Sequence, residues 1–553
     1  MPDTMLDPMG DGISDEGLTG DVDATVTSGS TVAGSINSPA LTGAVTATVT
    51  AGSTVSTSQP VGGLFFVGVD WAKNGSYAGA SDDVTDRVRP GSRVTASYGR
   101  DQDTALSPIV AGRGSFDLDN RSRDYSPRNV SSPLYGNLKP ARPVIIQRTV
   151  SGIIYVLLVA HTTDDPINPD VDNRSVSFTL EDALATFKGQ SVSTGLYSGI
   201  RTGDAIGYIL DAVGWTGGRD LDAGVTVMPW WWEERADAFE ALTKLLASEG
   251  PPALLTVGTA GEIIFRDRHH RLTRSASLTS QATWSGTEGA AEPVMGVGFT
   301  YDDAWRNIVN AATFSVDVRV PATSPQVVWQ TDATIDIPAS TTVPVAVELT
   351  DPVQSAAVPS VSGKDYSLLA GTVTPTLSRT SGTAITVFLA AGGAAARITN
   401  LRLRAYPVPV THTVQVSTSD ATSQTDYGLR SYPAEAPWAG QYDAKAIADL
   451  QVATRKQPNP ILNIRFPCGL NQDARLTALL TRDLSDRVTV VEPETAVNSD
   501  FFLESFQHSI DGITDHQITV GAEAVPPTVD DPATMFRFDS TSGHRFNEGK
   551  FAT

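Results

Sequence analysis

The sequence predicts a mainly β, multidomain protein with α/β parts, and three observations carry that reading. First, 40% of the 553 residues are apolar and only 18% are charged, with 47 Gly and 34 Pro among them. That mixture suits many short strands joined by turns. Second, apolar residues recur at period two along most of the chain, the spacing of a half-buried strand. Third, helical periodicity is confined to a few stretches, between 200 and 250 and again after 440. At roughly 150 residues per domain, the length implies about three to five domains.

Residues 1–60 stand apart. Asp3, Asp7, Asp11, Asp15, Glu16, Asp21 and Asp23 make an acidic start, and residues 24–32 recur as 47–55 with few large side chains to bury. Two copies are too few for a stacked solenoid. The segment reads as an extended low-complexity arm, either a flexible leader or a strand donor to a neighbouring subunit. From 61 to 180 the runs 64–69, 92–98, 113–119, 143–160 (a hairpin around Ser151-Gly152) and 174–180 are strand-like, with Val176, Phe178 and Leu180 on one face. They predict a small antiparallel barrel or sandwich.

Residues 181–300 mix the two periods. Thr202 is placed to cap a helix carrying Ile206, Ile209, Leu210 and Val213 at i, i+3, i+4 and i+7. A second helix over 236–248 turns Phe239, Leu242, Leu245 and Leu246 to one side, stops at Pro251-Pro252, and leads into a hairpin of 253–257 and 262–266. Residues 301–430 are nearly all β, with runs at 327–329, 334–337, 343–349, 385–389 and 398–406, spaced as in a β-sandwich. Residues 431–525 return to α/β: helices over 443–455 and 471–484, then strands at 488–491, 501–509 and 517–520. Pro526-Pro527 marks a boundary. The tail 526–553 alternates Phe536, Phe538 and Phe546 with polar groups, a pattern suited to docking on a neighbour by strand addition.

Several classes of function are disfavoured. Forty Lys+Arg against 62 Asp+Glu leave a formal charge of −22, the wrong sign for a surface that wraps nucleic acid. The longest clean apolar run, 153–160, is far short of the roughly 20 residues of a membrane helix. Residues 1–72 hold no Lys or Arg, which argues against a secretory signal. Cys468 is alone, so it can form no intrachain disulfide or cysteine zinc site and reads as a small buried hydrophobe.

No motif in the sequence marks a catalytic residue, metal ligand or cofactor site, so no enzyme is expected. His269 and His270 are adjacent and diverge on any regular backbone. Asp117, Asp119 and Asp124 crowd one loop without the Gly and Glu of a calcium loop. There is no nucleophile elbow, phosphate loop or dinucleotide fingerprint, and Ser362-Gly363-Lys364-Asp365 shares only a Gly-Lys pair with a phosphate loop. Trp230, Trp231 and Trp232 precede Glu233-Glu234. The triplet reads as core or a subunit contact, against the alternative of an aromatic–carboxylate cluster that binds sugar.

The most specific pattern lies between 111 and 144. It reads Ala111-Gly112-Arg113-Gly114-Ser115-Phe116-Asp117-Leu118-Asp119-Asn120, then Tyr125-Ser126-Pro127-Arg128-Asn129. Ser132-Pro133-Leu134-Tyr135-Gly136-Asn137-Leu138 and Arg142-Pro143-Val144 follow. With Asp83-Val84-Thr85 ahead of it, this run resembles the minor tail proteins of long-tailed actinobacterial phages, in the tail-tip (baseplate) hub family. Looser matches follow at Gly203-Asp204-Ala205-Ile206, at 423–428, at Pro437-Trp438 and at Ser485-Asp486-Arg487-Val488, so that about 61–525 are covered.

The resemblance implies a structural virion protein at the distal end of the tail, often a homotrimer. Its two barrel-like domains, here 61–180 and 431–525, would form a pseudo-hexameric ring. The implied partners are the distal tail ring, the tape-measure protein and other tip or receptor-binding proteins. DNA would pass only in transit as the hub gates genome ejection, and no membrane insertion is implied. An acidic wall suits such a channel, because like charges do not adsorb. Two rival readings are a carbohydrate-binding host-recognition protein, with Trp329 and Tyr366 of the sandwich as its platform, and a tail-associated cell-wall hydrolase.

Overall fold

The computed structural model describes residues 65–100, 111–286, 298–432, 435–469, 472–511 and 515–526, and the backbone of 535–536 and 550–551. The protein is mainly β; its four longest described helices lie in the two predicted regions, while short ones at His270–Thr273, Ser275–Leu278 and Ala421–Tyr427 lie outside them. Its largest element is a twelve-stranded sheet built from two lobes of six strands each, one drawn from residues 65–181 and the other from 283–302 and 461–524.

The first lobe shows why period-two sequences make strands. In Pro143–Val150, Val144, Ile146 and Val150 turn inward while their neighbours are half-exposed. The chain reverses through Ser151 (φ 49°) and Gly152 (φ 81°), the left-handed pair that a two-residue hairpin requires, and returns as Ile153–Thr162. Arg113–Asp119 pairs with Ser175–Glu181 and sets Phe116 opposite Phe178. These residues join Val67, Val69, Trp71 and Leu118 in one core.

The same core explains the most specific stretch of the sequence. Asn120 is buried; its Oδ1 accepts from Tyr125 N at 3.0 Å and its Nδ2 donates to Ser126 Oγ at 3.0 Å. That turn drives Tyr125 into contact with Trp71 and Phe178, and Leu134 and Leu138 follow it inside. The Asp117, Asp119 and Asp124 side chains accept from Ser92 Oγ, Arg121 N and Ser122 Oγ.

The second lobe is organised by one long strand, Val497–Asp511. Along one edge it pairs with Arg487–Glu492 and then with Arg93–Gly99 of the first lobe; along the other it pairs with Asp515–Ala524. Trp284, Phe466, Phe501, Leu503, Phe506 and Val520 fill its core. Cys468 is buried there with its thiol pushed up to about 12 by burial, which keeps it un-ionised. The described strands run as an open path from Phe65–Val69 to Thr300–Asp302 and close no barrel. The reason is local: the edge that would complete the first lobe, Arg93–Gly99, is already occupied by the second.

Between the lobes in sequence lie two further cores. Helices Thr202–Ala212 and Ala238–Glu249 pack together beside a three-stranded sheet of Leu254–Val257, Ile263–Arg266 and Arg219–Leu221. Thr202 is not the cap it was expected to be. It sits in the first turn, buried, with its hydroxyl donating to Glu249 Oε2 at 2.6 Å. Three three-stranded sheets share the sandwich core of Ile337, Val387, Leu389, Ile398 and Leu403. The expected strand 398–406 is two strands, because Asn400 adopts φ 51° and breaks it. The expected helix 471–484 is shorter, Asp473–Leu480. Finally, the ladder of Ala311–Arg319 with Val410–Ser419 leaves the sandwich and packs Phe314 and Val316 toward Ile447, Ala448 and Val452 of helix Gln441–Arg455.

Candidate functional site

The Trp triplet is sorted by its backbone. Trp231 and Tyr197 exchange two backbone hydrogen bonds, 3.0 and 2.9 Å, which hold residue 231 in a short antiparallel bridge. Successive side chains of extended chain point to opposite sides, so Trp231 turns in while Trp230 and Trp232 turn the other way. Trp231 is fully buried and stacks on Tyr197, which itself stacks on Tyr208 at 4.4 Å. That corrects its reading as a subunit contact: the ring belongs to the core of its own chain.

Trp230 and Trp232 line a cleft of about 710 Å³. Its other walls are strand residues Ser315 to Arg319 and the turn from Ala436 to Asp443 that opens helix Gln441–Arg455. Trp232 is a strut of this cleft. Trp438 meets it edge-on at 5.3 Å, and the Arg319 guanidinium lies over its ring at 5.1 Å. A Cβ on Gly382 would come within 2.7 Å of Trp232 Cγ, so only glycine permits the approach. Arg319 is itself held by the Val408 carbonyl at 3.0 Å and by Asp351 at 3.4 Å. The Trp438 backbone N–H donates to Ser248 Oγ, while its indole Nε1 is buried with no hydrogen-bond partner among the described residues. Tyr442 stands at the rim, 82% exposed.

Glu233 and Glu234 do not complete an aromatic–carboxylate pair. Glu233 is buried, and burial, opposed by the Lys244 charge, pushes its carboxyl up to about 7. Glu234 accepts from Ser381 Oγ and Thr383 Oγ1, tying this segment to the sandwich. The sandwich aromatics fare likewise: Tyr366 is buried and Trp329 packs half-buried against the same core. Asp365 accepts from Val361 N and Arg404 in a tight turn.

A second constellation lies where the blocks meet. Arg271 Nη2 reaches Glu504 at 2.6 Å, Arg455 holds Glu523 through two contacts at 2.6 and 3.2 Å, and Asn459 adds a third at 2.9 Å. Arg268 bonds the Glu249 carbonyl at 3.0 Å and Asp443 at 3.2 Å. Burial opposes ionisation of Glu523, yet the Arg455 charge beside it wins and holds the carboxyl below its usual range. His270 is consumed here too: Nδ1 lies 2.6 Å from the Asp267 carbonyl, Nε2 lies 2.8 Å from Ser485 Oγ, and burial lowers its pKa. Chemically, the network locks distant segments together, and each of these carboxylates is engaged by a guanidinium. Among the described residues, no group of three His, Cys, Asp or Glu is placed to hold a metal ion.

No family model matches this chain, and neither does any curated protein. Solved structures do. The 43 kDa tail protein of prophage MuSo2 from Shewanella oneidensis is similar over 85% of this chain and 100% of its own, at 10% identity and a TM-score of 0.46. A tail protein from Neisseria meningitidis MC58 is similar over 83% and 96%, at 10% identity and a TM-score of 0.44. The prophage tail protein gp18 from Listeria monocytogenes EGD-e follows at 84% and 95%, with 8% identity and a TM-score of 0.38. At such scores function has to come from the chain's own residues.

Sequence reasoning missed Arg319, Gly382 and Tyr442 as parts of the cleft, and met Trp438 only as Pro437-Trp438 in the family resemblance. The one signal was the aromatic content itself. Phe538 and Phe546 lie outside the described residues. The backbone at Phe536 forms a two-residue parallel pair with Lys550–Phe551.

Proposed function

We propose that this chain is a structural protein of a phage tail tip, three copies of which form a ring of six similar lobes around a central passage. One observation carries the reading. Segments far apart in sequence supply six strands each and are welded into one sheet by the antiparallel pairing of Arg93–Gly99 with Ser505 to Asp511. A protomer with two β lobes in line, and with open sheet ends, has the form that a trimer needs to match a six-fold tube. The residues behind the tail-protein resemblance are the ones that build the first lobe, Phe116, Leu118, Asn120, Tyr125, Leu134 and Leu138.

In this reading the chain performs no chemistry of its own. It joins the distal tail ring to the receptor-binding proteins and holds the passage narrow until a shift in subunit packing admits the tape-measure protein and DNA. Sedimentation and native mass of the full chain test it. A mass of three protomers, and three copies per purified particle, is the expected result; a monodisperse monomer at high concentration overturns it. The arm 1–60 and the tail 526–553 are assigned to contacts with neighbouring proteins, so deleting 528–553 should yield tips that lack distal proteins.

A further inference from the structure

We infer that the Trp-lined cleft is a saccharide site, taking one pyranose ring of a neutral or amino-substituted surface glycan. Its volume, about 710 Å³, falls in the range of ligand pockets, about 300–1,000 Å³. The walls are of two kinds. Trp230, Trp438 and Tyr442 supply aromatic surface, while Asp317, Gln441 and Asp443 supply carboxylates and an amide. A pyranose needs both: an apolar C–H face to lie on a ring, and hydroxyls that donate to carboxylates and exchange bonds with an amide.

The charges narrow the class. Asp317 accepts from Thr413 Oγ1 and Asp443 from Arg268, each leaving lone pairs for a ligand. The cation of the cleft, Arg319, is already spent on the Trp232 ring, the Val408 carbonyl and Asp351. No guanidinium is therefore left to match a uronate or sialate carboxylate. A nucleotide would stack equally well but would bring phosphate against Asp317 and Asp443. A wholly apolar peptide would strip water from those groups and return no hydrogen bonds. The site goes beyond the ring assembly proposed above, and each stands or falls alone.

Saturation-transfer NMR on the full chain tests it, with methyl glucoside, methyl galactoside, methyl mannoside and N-acetylglucosamine as probes and glucuronic acid as the acidic control. At least one neutral probe should receive saturation at its ring C–H protons, and glucuronic acid none. Tyr442→Ala changes a side chain that is 82% exposed and should fold normally while weakening binding by about tenfold. Trp438→Leu removes an aromatic wall of the cleft and should weaken binding similarly. Should that variant unfold, Asp317→Asn at the exposed wall takes its place. Saturation of none of the probes overturns the inference. So does undiminished binding by a Tyr442→Ala, Trp230→Ala double variant, or a drop in mass of that variant, which would show the cleft filled by a second copy. The saturation and affinity results leave the trimer untouched; only the drop in mass would speak to it.

Discussion

Acid should loosen the second lobe through a pair of histidines that sequence inspection passes over. His508 on Val497–Asp511 and His516 on Asp515–Ala524 are both buried, with Nδ1 of the first 3.1 Å from Nε2 of the second. The Tyr98 ring stacks on His508 at 6.0 Å, and His516 feels the Arg148 charge from Pro143–Val150. Burial lowers His508 from 6.5 to about 4, and burial plus the His508 and Arg148 charges lowers His516 well below its usual value. Between about 4 and 6.5 the unfolded chain therefore binds protons that the folded chain refuses, so stability rises with pH across that window. The contribution is complete above about 6.5 and is lost as pH falls toward and through about 4. For His508 alone the loss at about pH 5 is about 2 kcal/mol, and His516 adds to it. Urea unfolding at about pH 7.5 and about pH 5 is the assay, with hydrogen exchange of the two strands to localise the change. The wild-type midpoint should fall by roughly 0.5–1 M more than that of a His508→Gln, His516→Gln double variant. Equal pH responses in the two proteins would refute the reasoning.

Three other outcomes are expected. Arg455→Met strands the buried Glu523 charge and should cost about 3–5 kcal/mol in thermal unfolding, most of it recovered by adding Glu523→Leu; no recovery would count against the ion pair as the cause. Gly99→Ala places a Cβ 2.3 Å from the Glu504 carbonyl at φ 105°, at the weld between lobes, and should cost more than about 3 kcal/mol. Gly75→Ala, with φ 81° and open space around its Cβ, should cost only about 1 kcal/mol; similar melting temperatures for the two would sink the packing explanation. Trp231→Ala should cost about 3–5 kcal/mol, whereas Trp230→Ala should leave the melting temperature nearly unchanged. The reverse order would contradict the sorting of the triplet.

Much of the secondary structure was legible because it depends on local spacing. Val144, Ile146 and Val150 alternate, Leu242 and Leu245 recur at helical spacing, and Ser151-Gly152 and Pro251-Pro252 punctuate, all within a few residues. The local signal failed where a single backbone angle decided the matter, as at Asn400. It also failed at Thr202, where a hydroxyl found a better acceptor in Glu249, far along the chain, than in its own helix.

The sequence by itself determined many of the strands and the faces they bury, because a side-chain pattern is a local record of where water is excluded; it did not mark Ile461–Cys468. Tertiary structure alone decided that Arg93–Gly99 pairs with the strand around Phe506, since backbone hydrogen bonds carry no mark of their partner. It alone decided that Arg455 and Glu523 are buried together, because an isolated charge in a sequence looks like any solvated one. And it alone sorted the Trp triplet and opened the cleft: only folding bridged Trp231 to Tyr197 and brought Arg319, Gly382, Trp438 and Tyr442 to its two neighbours.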